Sequence, residues 1–417
     1  MASADKAQTA ATGCFPKTLR LRCSKIAAMR NAKLFPCLLL LVTAGICWPG
    51  PVEAQQTVNI KGAPAVILKR PQAADQDKPR FVEATVLPGA GMNLLQLKAY
   101  LPGSGEVNVI GTTSLEDAKK LLEQDNDAFG NKSFYIGGAI LLPFANRIQG
   151  TLSPDGKTIE TKIEGNEISL PGNWHGKNPG APVHAMHGLI FASRFEDVKH
   201  HDGPSASTVS AVLHAGDFNG HWPSKTNVSI RMSLSSQVMD LAVTTKNMGK
   251  EALPMGIGFH PYFNFPSGDR EQGRLHIPAD ERATANNYDD VFPTGQVVTV
   301  KGTPFDFTSP QGKALGTMFM DDCFTDIKRS TDGAAHIEII DPKAHYGLRI
   351  VAISPQIKAI QVYAPPDKSY VAVEPQFNLA DPFNKAVWDD RDTGMVSLKP
   401  GESVTWHIQL ELFTPAE

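Results

Sequence analysis

The sequence predicts an all-β protein of antiparallel sheets, each with one face on a core and one face in water. Three observations predict it. Segment after segment alternates apolar and polar residues at period two. Val228, Ile230, Met232 and Leu234 alternate with Ser229, Arg231, Ser233 and Ser235. A strand sends successive side chains to opposite faces, so such a segment buries one face and wets the other. Second, 35 glycines and 31 prolines supply the turns that many short strands need. Third, one segment alone, 114–123, carries a clear helical pattern.

In chain order, residues 1–54 read as a leader outside the fold. Arg30, Lys33 and earlier basic residues precede the apolar run Cys37–Trp48. That run is too short to span a bilayer, which takes about 20 residues. Pro49 and Pro51 break it, and Val52-Glu53-Ala54 suits signal cleavage after Ala54. Counting from Met29 brings the leader into the usual range of about 15–30 residues, so Met29 is the candidate start. The protein is therefore expected to be exported, periplasmic or extracellular, with no membrane contact once mature. Four of the five cysteines (Cys14, Cys23, Cys37, Cys47) lie in the leader. Only Cys323 remains, so no internal disulfide can form and a large core must supply stability.

Residues 55–80 read as a tether or edge strand, and 81–417 as one β domain. Asn93–Tyr100 is the first clear strand. In the helical segment Ser114 can cap, and Leu115, Ala118, Leu121 and Leu122 form the apolar face. The helix is expected to close one end of a cleft. Thr158–Glu164, Met239–Val243, His336–Ile340, Leu348–Ala352, Ala359–Tyr363 and Val404–Leu412 all read as strands. With 40 basic and 43 acidic residues, net charge −3, no basic excess points to nucleic acid. The sequence is compatible with a monomer or a dimer.

Five short segments carry the chemistry. Asn146-Arg147 lies in an apolar turn, where a guanidinium needs a partner. Its five fixed donors suit ligand hydroxyls or a structural ion pair. His184-Ala-Met-His187-Gly188 offers two histidines; with His260 they could form a three-histidine zinc site, but no His-Glu-x-x-His motif supports a metal. Gly188 allows close backbone approach at His187. His260 stands before Pro261, between Phe259 and Tyr262, and suits a ring-stacking cleft or a core histidine. Tyr262 and Phe263 point to opposite faces if extended. Met320-Asp-Asp-Cys-Phe324 can send one acid into a cleft and leave the other solvated. Cys323 suits a buried filler better than a nucleophile. Glu374, at a strand end before Pro375, suits a general base, with burial raising its pKa. Asp389-Asp390-Arg391-Asp392 reads as a solvated loop.

In this order the segments resemble the aldose 1-epimerase (galactose mutarotase) family, from about Phe81 to Leu412. The resemblance is carried by Pro-Phe-Ala-Asn-Arg-Ile, His-Gly, His-Pro-Tyr-Phe-Asn, and Val-Glu-Pro-Gln with Asp-Pro-Phe-Asn at 381–384. It implies a large, distorted antiparallel β-sandwich, the galactose mutarotase-like supersandwich. It also implies catalytic Glu374 as base on the anomeric hydroxyl and catalytic His260 as acid on the ring oxygen, with His187 orienting the sugar. Arg147, Asn146 and Asp321 match substrate-binding positions, and Asp322 is the neighbouring candidate for the acidic one. The implied substrate is a free aldohexose such as glucose or galactose, with no cofactor and no metal. Ordinary pKa values, about 4.3 for glutamate and about 6.5 for histidine, would leave the base ionised and the acid protonated. Two other readings remain: a hexose-6-phosphate 1-epimerase, and a non-catalytic carbohydrate-binding module.

Overall fold

The predicted alternation becomes hydrogen-bonded ladders in the computed structural model, which describes residues 58–70, 77–124 and 128–416. The leader 1–54 lies outside the described residues. Strand Thr226–Leu234 buries Val228, Ile230 and Met232. It pairs with Val238–Asn247 so that Ile230 faces Val243 and Met232 faces Leu241. Every strand ladder among the described residues is antiparallel; a single isolated bridge, Leu142 to Gly188, is parallel.

Two large sheets form. The nine-stranded one runs from Glu196–Asp202 through Ser207–Gly216, Thr226–Leu234, Val238–Asn247, Ser403–Phe413 and Tyr346–Ala352 to Ala335–Asp341, Arg274–His276 and Lys313–Ala314. The eleven-stranded one starts with Pro293–Thr299, Ala279–Ala285, Met320–Ile327, Ala359–Ala364, Tyr370–Gln376 and Gly258–Asn264. It continues through Gly105–Ile110, Asn93–Leu101 and Arg80–Leu87 to the edge strand Val66–Lys69. Gly138–Leu141 joins it beside Gly258–Asn264.

One apolar cluster joins the sheets. Phe259, Phe324, Val362 and Val373 of the larger sheet share it with Val243, Ile350, Trp406 and Ile408 of the smaller. The Phe259 and Trp406 ring centroids lie 6.2 Å apart. Face-to-face packing through interdigitated side chains defines a sandwich. Because side chains alternate, the residues between these core positions belong to the larger sheet's other face. Those are His260, Tyr262, Gln361, Tyr363, Asp321 and Glu374, and they supply a polar floor.

The helix forms over Leu115–Leu122. The Ser114 hydroxyl accepts from the Asp117 amide at 3.1 Å, as an N-cap should. Its buried residues Ala118 and Leu122 join a small separate cluster with Ile60, Leu87, Ala90, Leu95 and Ile136. The expectation that this helix closes the cleft is corrected. No helix residue lines the cleft; the following segment does so, through Phe134 and Tyr135.

Candidate active site

Register brings the site together. Gly258 pairs with Gln376 and Tyr262 with Ala372, which sets His260 across from Glu374. Glu374 pairs with Gln361, and Gln361 with Cys323. The next row is Tyr262, Ala372, Tyr363 and Asp321. Four strands thus lay His260, Glu374, Gln361 and Asp321 on one face.

A second layer arrives from a loop. Arg147–Ile148 pairs with Val183–Met186, Arg147 facing Met186. The residues beyond the ladder, Asn146 and His187, then close on each other. The His187 amide donates to the Asn146 carbonyl at 2.8 Å, and the Asn146 amide donates to His187 Nδ1 at 3.3 Å. Gly188 makes this approach possible. Its φ is +94°, and an added Cβ would lie 2.2 Å from the Leu142 carbonyl oxygen. Phe134 packs against both the His187 and His260 rings, at 5.3 and 6.1 Å between centroids.

His260 Nε2 stands 3.4 Å from Glu374 Oε1, and the two side chains are 7% and 2% exposed. Beside them four groups close a polar ring. Arg147 Nη1 donates to Asn146 Oδ1 at 3.1 Å, and Asn146 Nδ2 to Gln361 Oε1 at 2.9 Å. Gln361 Nε2 donates to Asp321 Oδ1 at 2.6 Å, and Arg147 Nη2 reaches Asp321 Oδ2 at 3.4 Å. The Arg147 guanidinium also lies over the Trp174 ring, 4.4 Å from its centroid, a cation–π contact. Glu374 Oε2, His260 Nδ1 and Arg147 Nε are buried with no protein partner. Buried polar atoms are normally paired, so three orphans at one cleft mark a place for a polar ligand.

Electrostatics differ from the sequence expectation of near-ordinary pKa values. Burial pushes Glu374 well above the usual glutamate range; the Asp321 carboxylate adds to the rise and Arg147 opposes it. Burial pushes His260 down to about 4. His187 is lowered well below its ordinary value by burial, then by His260 and Arg147. Partial burial was inferred for Glu374 from its strand-end position; at 2% exposed, its burial is nearly complete.

Asp321 faces the cleft. Asp322 does not, and it is not solvated as expected. It points to the core side, where Arg282 Nη1 donates to it at 2.6 Å and Tyr288 Oη at 2.7 Å. Cys323 is buried, and burial raises its thiol pKa, which suits a filler. Asn146 is a joint behind Gln361, away from the cleft lining. Asp389, Asp390 and Arg391 are exposed, and Asp392 pairs with Lys358.

The three-histidine grouping does not form. His184 Nε2 bonds Asp290 at 2.7 Å, and its ring lies between Trp174 and Phe292. Instead, ligand atoms of His187, His260 and Glu374 lie within 4.8 Å of one another. His187 fits a metal poorly there. Its Nδ1 accepts from the Asn146 amide, so the ring proton sits on Nε2, the nitrogen left to face the cleft. His187 is built to donate.

The cleft has a volume of about 560 Å³. Sequence reasoning missed Gln361, Trp174, Tyr288 and Tyr363, all in its lining. A faint signal existed for Gln361: it is the polar residue of an otherwise apolar strand, in phase with Tyr363.

A family model described as aldose 1-epimerase matches residues 112–411. The chain belongs to the aldose 1-epimerase family. Within it, the chain is similar to YphB, an uncharacterized protein of Escherichia coli K12. The two are 24% identical over 281 residues, 65% of this chain and 82% of that one. A galactose mutarotase-like protein from Clostridium acetobutylicum superposes with a TM-score of 0.61 at 21% identity, covering 84% of this chain and 98% of that one. A GalM/aldose epimerase homologue from Caenorhabditis elegans gives 0.59 at 19% identity, covering 80% and 96%. A galactose 1-epimerase from Lactobacillus acidophilus gives 0.58 at 16% identity, covering 84% and 99%. These structural likenesses establish the mutarotase-like fold. For this aldose 1-epimerase family member, the family match starts just before the helix cap Ser114, and all six expected site residues fall within it.

Proposed function

We propose that this protein interconverts the α and β anomers of a free aldohexose by acid/base ring opening and reclosure. The observation that carries the reading is the buried His260–Glu374 pair at 3.4 Å, beside the Arg147–Asp321 anchor. Mutarotation removes a proton from one oxygen and adds one to another, both on the anomeric carbon. An acid and a base this close match two oxygens held by one carbon. Glu374 takes the proton of the anomeric hydroxyl and His260 gives one to the ring oxygen. The C1–ring-oxygen bond breaks, and the aldehyde end rotates. Reclosure on the other face returns both protons. His187, with its proton on Nε2, donates to the sugar, and Arg147 with Asp321 binds ring hydroxyls.

The shifted pKa values suit this cycle. Glu374 raised and His260 lowered favour one proton on the pair, carried by Glu374, with no net charge. That is the protonation of the ring-open complex. The ring-closed reactive form has the same count, with the proton on His260. One proton serves both, and none need be exchanged with water during turnover.

The lining favours a neutral sugar over a phosphorylated one. Its strong cations are Arg147, already paired with Asp321, and Lys177 at the rim. The leader pattern of residues 1–54 supports export, so the substrate would be met outside the cytoplasm. Mutarotation of freshly dissolved α-D-glucose and α-D-galactose, followed by polarimetry, tests the reading. A rate well above buffer is expected for at least one sugar. Sugar binding with no acceleration would instead support a carbohydrate-binding module.

A further inference from the structure

The cleft is larger than the chemistry requires. Its catalytic end is complete with His260, Glu374, His187, Arg147, Asp321 and Gln361. Yet about 560 Å³ falls in the range that encloses drug-sized ligands, well beyond one hexose ring. Past Asp321, on the side away from His260, the lining continues through Phe319, Tyr288 and Val291. In the sheet, Asp321 stands two strands from Glu374, roughly 10 Å at about 4.8 Å per strand, and the 286–292 loop lies beyond the next strand.

That outer end is aromatic and rigidly built. Tyr288 is 46% exposed, and Tyr135, beside Phe134 in the same cleft, 54%. They are large apolar rings left in water at a cleft rim, a placement that marks binding surfaces. Tyr288 is tethered: its hydroxyl donates at 2.7 Å to Asp322, which is 2% exposed and paired with Arg282. A buried carboxylate is costly to keep. Asp322 takes no part in the acid/base chemistry, and its two side-chain partners are Arg282 and the tyrosine. Tyr288 and Phe319 meet edge to face, centroids 5.1 Å apart at 66°, and Phe319 meets Tyr363 at 6.0 Å and 83°. The rings therefore form a fixed platform, in a place the reaction leaves unused.

We infer that this platform is a subsite for a second sugar ring, and that the enzyme favours the reducing end of an oligosaccharide over the free hexose. The inference rests on the epimerase reading. A substrate must keep its anomeric hydroxyl free for Glu374, so any extension leaves the ring from another carbon. The far side, past Asp321, is where the platform lies. A pyranose presents C–H groups to aromatic faces, and the tethered Tyr288 ring offers such a face at little ordering cost.

The test compares kcat/KM for cellobiose, lactose and maltose with that for glucose, their shared reducing-end sugar. It uses the purified protein and the variants Tyr288→Ala and Phe319→Ala. At least one disaccharide should exceed glucose by about tenfold or more. Both variants should erase most of that advantage while glucose turnover stays within about twofold. Glucose faster than every disaccharide, or variants that slow glucose and disaccharide alike, would overturn the subsite. The wild-type comparison decides even where a variant fails to fold. Turnover of glucose alone would sink only the subsite, whereas no turnover of any sugar would sink the epimerase reading.

Discussion

His260 and Glu374 face each other across neighbouring strands, Nε2 to Oε1 at 3.4 Å, both buried on the side of the sheet opposite the core. Burial drives their pKa values in opposite directions, Glu374 upward and His260 down to about 4. Both shifts favour a single proton on the pair.

The pH profile should show this. Below about 4, His260 gains a second proton for the pair and the base is lost. Above the raised Glu374 pKa the pair holds no proton and the acid is lost. The profile of kcat/KM is expected to have its acid limb near pH 4 and its alkaline limb well above the ordinary glutamate range. A profile already falling between pH 4 and 5 would contradict the shift of Glu374.

Stability should carry the same signature with a defined sign. A folded-state pKa raised above the unfolded value contributes stability present at low pH and lost as pH rises through the folded pKa. Glu374→Gln removes that loss. The variant should melt at a higher temperature than wild type at pH 8, and the difference should vanish toward pH 4. Equal melting at both pH values would mean that burial does not hold the carboxyl neutral.

Arg147 is pinned by Asn146, Asp321 and the face of Trp174. Lysine keeps the charge but loses the fork and the stacking. Arg147→Lys should raise KM about tenfold or more with kcat within about threefold. Trp174→Ala removes a cation–π contact worth about 0.5–2 kcal/mol, so KM should rise roughly 2- to 30-fold. Steady-state kinetics on the sugar that turns over best separates KM from kcat.

Gly188→Ala should be among the most damaging small changes. The position has φ +94°, and a methyl group there meets the Leu142 carbonyl oxygen. A loss of roughly 2–4 kcal/mol is expected, read from the urea midpoint at unchanged slope. Its neighbour His187 would shift, so activity should fall with it. A variant as stable as wild type would mean that the Leu142–Gly188 bridge opens freely.

Much of this was legible in the sequence. Strands such as Thr226–Leu234 announced themselves because alternation and burial share one period. Ser114 marked the helix start through its own hydrogen bond. His260, Glu374 and Arg147, which line one cleft, stand out in the sequence because each breaks its surroundings: a histidine among aromatics, a carboxylate before proline, a guanidinium in an apolar turn. What stayed hidden depends on pairing between distant segments. Gln361 meets Asn146 across 215 positions, and Asp322 meets Tyr288 across 34. The depth of burial that moves Glu374 and His260 was hidden too, because neighbours such as Phe134 and His187 meet His260 only in three dimensions. The helix could be read as a helix, but where it packs is set by Ile60, Leu87 and Leu95.

The most direct test of the acid/base pair is polarimetry of α-D-glucose and α-D-galactose with wild type and Glu374→Gln, with sugar binding measured on the same samples. The wild type should accelerate mutarotation of at least one sugar. The variant should lose roughly 10²–10⁴-fold in kcat while binding that sugar within a few-fold of wild type. Near-wild-type mutarotation by Glu374→Gln would contradict the assignment of Glu374 as the base.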